Sequence, residues 1–453
     1  RPPGRKNRNM KRILTLCMLI VAGMAAAQEK PKSVTLITNV RVFTGKDAAP
    51  FNGSVLITGN VITKISSGPI PTDRSMNTTI IDGKGQFLMP GLIDAHYHAM
   101  FANIPQLAAI TKDFGFVVLM AGNNARNTLL RGFTSVRDMG GPIFGLKDAI
   151  DAGVTPGPRI WPSGAFISQT GGHGDFRLPY EIPKAANDPL SYSERIRAAA
   201  IADGVDAVLL RSREQLMAGA SQLKLMAGGG VSSMYDPLDV AQYTEAEFRA
   251  AVEAAENWGT YVTVHAYTPH AIQTAIKAGV KCIEHGQLAD EASAKMIAEK
   301  GIWWSLQPFI DDEDSNPKTG ENREKQLEMY SGTDNAFALA KKYKVKIAWG
   351  TDALFDARIA TRQGARLAAM TRWFKPVEIL QMATRNNGEL LALSGKRSPY
   401  KGKLGVLEEG ALADMILVNG DPIQNIQLLE DPEKNLTLIM KDGIVYKNTL
   451  QQP

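Results

Sequence analysis

Cysteine is nearly absent from this chain: 453 residues hold two, Cys17 and Cys282. Cys17 lies in an N-terminal stretch that reads as a cleavable leader, so the mature chain keeps only Cys282 and has no internal disulfide. Cys282 sits in the apolar run VKCIEHG and reads as a buried core thiol rather than a nucleophile. Repeats and low-complexity tracts are missing, which excludes solenoids and fibrous assemblies. No apolar run is long enough to cross a bilayer comfortably; ILTLCMLIVAGM, in the leader, falls short. Net charge is also lacking once the leader is set aside. Residues 1–27 hold Arg1, Arg5, Lys6, Arg8, Lys11 and Arg12 and no acid. Taking those six from 51 basic residues leaves 45 against 46 acidic ones, so nothing points to a nucleic-acid surface.

What remains is ordinary globular composition, 44% hydrophobic and 21% charged. The length suits two domains, or one barrel with an attachment, and a large core that needs no staples. The leader has the order of a Sec signal peptide: a basic stretch ending in MKR, the apolar run, then Ala25, Ala26 and Ala27 before Gln28. Met10 is the expected natural start, with residues 1–9 upstream of it. Leu16 before Cys17 argues against a lipoprotein anchor. The expectation is a secreted or periplasmic protein cleaved near Ala27–Gln28 with no stable membrane anchor; the alternative is a retained N-terminal anchor.

Three blocks follow the leader. Residues 28–88 alternate apolar and polar positions between Asn, Gly and Asp, as an antiparallel sheet does. Residues 399–453 resume that style in GVLEEGALADMILVNGDP and LTLIMKDGIVYKN. Together they predict one small β-sandwich assembled from both chain ends. Between them, residues 89–398 alternate short apolar runs with amphipathic helices such as TEAEFRAAVEAAENWG and DEASAKMIAEKG. Eight candidate strands (91–98, 133–140, 159–168, 222–228, 260–267, 281–286, 303–308 and 345–353) predict an α/β fold built on a (β/α)8 TIM-type barrel. The polar stretch 311–326, DDEDSNPKTGENREKQ, reads as a solvated mobile loop leading into a helix rather than a calcium-like site.

The chemistry lies in where the polar residues fall. The six histidines are His96, His98, His173, His265, His270 and His285. Four of them, and Asp352, fall at or near the C-terminal ends of candidate barrel strands, where such barrels carry their active sites. His96 and His98 are two apart, so a strand turns both to one face and the pair can chelate a divalent cation. His-x-His, two single histidines and a terminal aspartate on successive strands make a specific set. Imidazole with carboxylate suits zinc or a similar ion.

The stretches MPGLIDAHYH, VHA, EHG and GTDA, and the tail KGKLGVLEEGALADMILVNGDP, resemble the signatures of the amidohydrolase superfamily over nearly all of residues 33–447. Lys224, in QLKLMAGGGVSS, points to its two-metal subtype. The resemblance implies that carbon dioxide carbamylates Lys224 to N6-carboxylysine, a bridge between two divalent ions, with zinc the expected metal. The alternative is a structural lysine, but Leu223, Leu225 and Met226 would then surround a lone buried cation at high cost. By the same resemblance His96, His98, Lys224 and Asp352 hold one ion, and Lys224, His265 and His285 the other. A hydroxide between them attacks, with Asp352 taking its proton and passing it to the leaving nitrogen.

His173, in the glycine-rich SQTGGHGD, is expected to touch substrate or steady the oxyanion. Tyr235 is an expected donor to substrate, a core or surface role being equally compatible. Arg358 and Arg362 are candidates for a substrate carboxylate, with helix-surface arginines the alternative. His270 reads as the exposed opening of a helix. KLMAGGGVSS with SQTGGHGD resembles the Xaa-Pro dipeptidase and metallocarboxypeptidase group, and most closely bacterial members that hydrolyse ochratoxin A. That implies cleavage of an amide next to a C-terminal amino acid in a small molecule, by a homo-oligomer that in such relatives is often an octamer. A phosphotriesterase or lactonase using the same ions, a deaminase, and a non-catalytic scaffold are the rivals.

Overall fold

The computed structural model describes residues 33–72, 78–185 and 188–450. The expected leader and its expected cleavage site lie outside the described residues. The chain opens on β1 (Val34–Val42), β2 (Phe51–Thr58), β3 (Val61–Ser66), β4 (Thr78–Asp82) and β5 (Phe87–Pro90). β1 to β3 are paired antiparallel, as the alternation suggests, but β4 and β5 run parallel to β1. Alternation reports which face is buried and not the direction of a neighbour, so the parallel edge could not be read from it. The first half of β1 holds β4 and its last two residues hold β5, with a register irregularity between Ile37 and Val40 and a left-handed Asn39 (φ 51°).

The middle of the chain alternates strands and helices. Its strands are β6 (Leu92–Tyr97), β7 (Phe133–Asp138), β8 (Arg159–Pro162), β9 (Phe166–Ser168), β10 (Ala199–Ile201), β11 (Leu223–Met226), β12 (Val262–Ala266), β13 (Cys282–His285), β14 (Trp303–Leu306) and β15 (Lys346–Trp349). All eight expected strands are present, the third split into β8, which pairs with β7, and β9, which pairs with β11. The short β10, not foreseen, adds parallel to β9. Closure from β15 to β6 is made by the Asp352 amide donating to the His96 carbonyl at 2.8 Å and by a bridge from Tyr97 to Ala353. The helices form where their signals stand. Thr244 caps Glu245–Trp258 in a capping box with Glu247, Gly259 ends it at φ 82°, and Phe248, Ala251, Val252 and Ala255 face the core.

The chain returns to the first sheet with β16 (Met415–Val418), β17 (Leu436–Lys441) and β18 (Ile444–Asn448). β16 pairs antiparallel with β5, so both chain ends build one branched eight-stranded sheet. They share one apolar cluster that includes Ile37, Val55, Leu88, Met415, Leu438 and Met440. The barrel is fastened to this sheet by buried charge. Arg159, the first residue of β8, donates to Asp414 at 3.0 Å and to Asp442 at 2.6 Å, while the Lys441 ammonium donates to the Gly157 carbonyl.

Candidate metal centre and substrate cavity

Strand register brings the expected ligands together. Met226 of β11 lies beside His265 of β12, and His265 and Ala266 lie beside Glu284 and His285 of β13. Adjacent strand residues normally face opposite sides. His285 escapes that rule because it closes β13 in the left-handed region, at φ 73°. Both Glu284 and His285 therefore reach His96: the Glu284 carboxylate is 2.7 Å from its Nδ1, and the His285 ring centroid is 4.7 Å from its own. Asp352 is held in the same region, at φ 53°, and its carboxylate lies 3.3 Å from Nε2 of both His96 and His98. Two non-glycine residues in a disfavoured conformation at one site mark it as functionally constrained.

Each histidine has one ring nitrogen tied down. His96 Nδ1 meets Glu284, His98 Nδ1 the Gly140 carbonyl at 2.9 Å, His265 Nε2 the Gly229 carbonyl at 3.0 Å, and His285 Nδ1 the Gln307 side-chain oxygen at 2.8 Å. Those four partners are acceptors, so the tied nitrogen carries the proton and the other presents a lone pair. This is how proteins orient metal-ligating imidazoles. Burial also holds His98 below the usual histidine range, and His265 and His285 well below it. His96 Nε2 is buried with no hydrogen-bond partner. Ligand atoms of His96, His285 and Asp352 all lie within 4.8 Å of one another. The donor set fits a divalent cation.

Lys224 stands in the floor of the same cavity with His96, His98, His173, His265, His285 and Asp352. It is 2% exposed, and its ammonium makes no hydrogen bond or ion pair among the described residues. Burial lowers its pKa against the opposing pull of Glu284 and Asp352, which favours the neutral amine. The Asp352 carboxyl is held well below the usual range: burial would raise it, but His96 and its neighbours outweigh that. Glu284 is likewise kept ionised, chiefly by Arg137, whose guanidinium donates to it at 2.6 Å. Thr263 and the Cys282 thiol also donate to Glu284. Cys282 is buried and its thiol is pushed up to about 12 by that burial, so the core-thiol reading holds.

His173 joins the centre from its own loop. Its ring stacks on His265 with centroids 4.0 Å apart, and its Nδ1 is 2.9 Å from the Ser233 hydroxyl and 3.7 Å from Asp236. Ser233 donates to the Gly230 carbonyl, so it accepts from His173, whose neutral ring then offers Nε2 as an acceptor. Gly230 is glycine because a Cβ there would sit 2.0 Å from the His173 ring. The two glycine-rich segments thus pack on each other.

A second, outer cavity adjoins the first and shares Val231, Ser232, Tyr267, Asp352 and Leu354 with it. The 311–319 loop walls it, and here the structure corrects the sequence reading. Three of its four acids are held in ion pairs, Asp311 with Arg323, Asp312 with Arg366 and Asp314 with Arg362, while Asp311 and Glu313 stay exposed. Arg358 donates to the carbonyls of Glu313 and Ser315, both at 2.6 Å. Arg358 and Arg362, expected to receive a substrate carboxylate, instead fasten this loop and line neither cavity. Tyr235, an expected donor to substrate, donates to the Arg177 carbonyl at 2.6 Å and also lines neither. His270 is exposed in the first turn of Pro269–Ala278, as expected. The sequence reading missed Glu284, Arg137 and Gln307, although EHG carried Glu284 in view. It also missed Lys318 of the outer wall.

The chain is similar to known proteins over most of its length. The amidohydrolase family model matches residues 87–446. The ochratoxinase of Aspergillus niger is 30% identical over 441 residues, covering 94% of this chain and 89% of that protein. Among solved structures, a prolidase complexed with N-methylphosphonate-L-proline superposes with a TM-score of 0.82 at 31% identity, covering 92% of this chain and all of the other. A Xaa-Pro dipeptidase with methionine bound in its active site gives 0.78 at 30%, with the same coverage.

Proposed function

The chain belongs to the amidohydrolase family, whose members here are hydrolases of amide and peptide bonds, and we propose that it is a two-metal enzyme cleaving the amide next to a C-terminal amino acid. One observation carries this reading: four histidines with their outer nitrogens tied off converge on Asp352 and a buried lysine that has no partner among the described residues. An unpaired buried cation is costly. Carbamylation removes that cost: the neutral Lys224 amine attacks carbon dioxide, loses a proton, and becomes an anionic carbamate with two oxygen donors. His96, His98, the carbamate and Asp352 would hold one divalent ion, and the carbamate, His265 and His285 a second, with zinc the favoured metal. Bound there, the ions would supply Lewis acidity toward the scissile carbonyl and lower the pKa of water to about 7.

The chain's own residues do the rest. Asp352, kept ionised, accepts the proton of the attacking water and returns it to the leaving nitrogen. His173 lines the cavity and is the proposed contact to the substrate carbonyl. Glu284 and Arg137 hold the His96 ring in place. Substrates are N-acyl amino acids and dipeptides, with ochratoxin A, an aromatic acid amide-linked to phenylalanine, among them; the names of the relatives support that choice. Export through the leader and assembly into a homo-oligomer belong to the same proposal.

The test combines metal content by plasma mass spectrometry with hydrolysis of ochratoxin A, an N-acyl amino acid, paraoxon and a lactone, before and after chelation. About two ions per chain, with amide turnover lost on chelation and restored by metal, is the expected result. Turnover of esters alone would overturn the amide reading, and one ion or none would overturn the bridging lysine.

A further inference from the structure

Around the outer cavity nearly every cation is engaged. Arg366 is held by Asp312 and the Pro308 carbonyl, Arg323 by Asp311 and Gln326, Arg358 by two carbonyls and Arg362 by Asp314. Lys318 differs. Its backbone amide donates to the Gln326 side chain at 3.1 Å, but its ammonium, half-buried in the cavity wall, has no hydrogen bond or ion pair among the described residues. The nearby acids are occupied: Asp314 by Arg362, and Asp356 by the amides of Arg358 and Ile359 at a helix start. Asp352, on the cavity floor, belongs to the candidate metal centre. Burial lowers the Lys318 pKa while Asp352 and Asp356 oppose the fall.

The position is fixed, not incidental. Gln326 grips the loop twice, accepting from the Lys318 amide and donating to the Asn316 carbonyl at 2.8 Å, and the arginine pairs hold the acids before it. The cavity is mixed in character: Asp314, Asn316 and Gln326 are among its polar lining, and Tyr267, Phe309, Met329, Tyr330 and Leu354 supply an apolar and aromatic part. A cavity with the candidate metal centre on its floor, one cation without a partner among the described residues on its wall, and a partly apolar lining matches a ligand with a carboxylate and an apolar side chain. Lysine acts as a point charge, tolerant of carboxylate orientation.

We propose that Lys318 receives the α-carboxylate of the C-terminal amino acid of the substrate, and that the apolar wall beside it selects an apolar or aromatic side chain there. This rests on the amide-hydrolase reading above. The test uses the metal-loaded protein and its Lys318→Ala and Lys318→Arg forms. Substrates are N-acetyl-L-phenylalanine and the corresponding carboxamide, and calorimetry measures binding of L-phenylalanine against phenylalaninamide. Loss of one charge-assisted contact should raise KM for the acid roughly 10- to 100-fold in Lys318→Ala, with kcat little changed and the preference for acid over carboxamide abolished. Lys318→Arg should restore part of that preference. An equal loss on acid and carboxamide, or an unchanged preference, would overturn the role of Lys318 while leaving the amide reading standing. A wild-type protein that cleaves no amide, yet binds phenylalanine in a Lys318-dependent way, would sink the amide reading and keep Lys318.

Discussion

The two ends of the barrel both bury a cation, and they treat it in opposite ways. At the end facing the chain-terminal sheet, Arg159 is 5% exposed and meets two carboxylates, Asp414 and Asp442. At the other end, Lys224 is 2% exposed and meets none among the described residues. Burial would lower the pKa of both. For Arg159 the two aspartates more than reverse it, while for Lys224 Glu284 and Asp352 do not. A buried charge whose partners come from the chain holds the fold together. A buried charge that lacks them is strained alone, and calls for a modification or a ligand to complete it.

The sharpest way to break this comparison is to replace both cations by methionine. Lys224→Met should lower turnover by about 10³-fold or more, because on the proposed reading the anionic ligand vanishes and with it several kcal/mol of Lewis-acid stabilisation. The metal-free form should unfold at no lower denaturant concentration than the metal-free parent. A clear drop in that midpoint would mean that Lys224 has a structural task. Arg159→Met should cost about 3–5 kcal/mol, because it leaves Asp414 buried without its partner. Urea unfolding measures this, and the surviving folded protein should keep its kcat; a Lys224-like loss of turnover with intact stability would erase the contrast between the ends.

Smaller changes sharpen it. Glu284→Gln keeps the shape but removes the charge facing His96 and Arg137, so metal affinity should fall roughly 10- to 100-fold by competition with a chelator. Unchanged affinity would mean that the ring of His96 is held by packing alone. Gly230→Ala pushes a methyl into the His173 ring, and turnover should fall about tenfold while metal content holds. Metal loss in that variant would make His173 a ligand. Arg358→Ala should change kcat/KM by less than about threefold, since a part-exposed contact to carbonyls is worth little. A selective rise in KM for acids would return the carboxylate to Arg358.

The floor of the site was legible because strands carry it. Strand residues alternate with a period of two, and six histidines are few enough for their placement to inform. His96, His98, His265, His285 and Asp352 therefore stood out together, with the barrel that holds them, and the amidohydrolase resemblance added Lys224. The wall was not legible. Arg358 and Arg362 look like carboxylate receptors until Glu313, Asp314 and Ser315 are seen to claim them. Lys318 looks like any loop lysine until the cations around it are accounted for. Tyr235 has the right chemistry and is turned instead to the Arg177 carbonyl.

The sequence by itself determined the barrel, the sheet shared by the two chain ends and the kinds of atoms at the reaction centre. Those follow from local periodicity and residue chemistry, which are properties of the chain read in order. Only the tertiary structure decided which nitrogen of each histidine is free, why Glu284 and His285 reach the same ring, and which cations remain unpaired. A charge is free or engaged according to every neighbour within a few ångströms, and those neighbours come from segments up to hundreds of residues apart, such as Arg159 and Asp442 or Asp94 and Thr351.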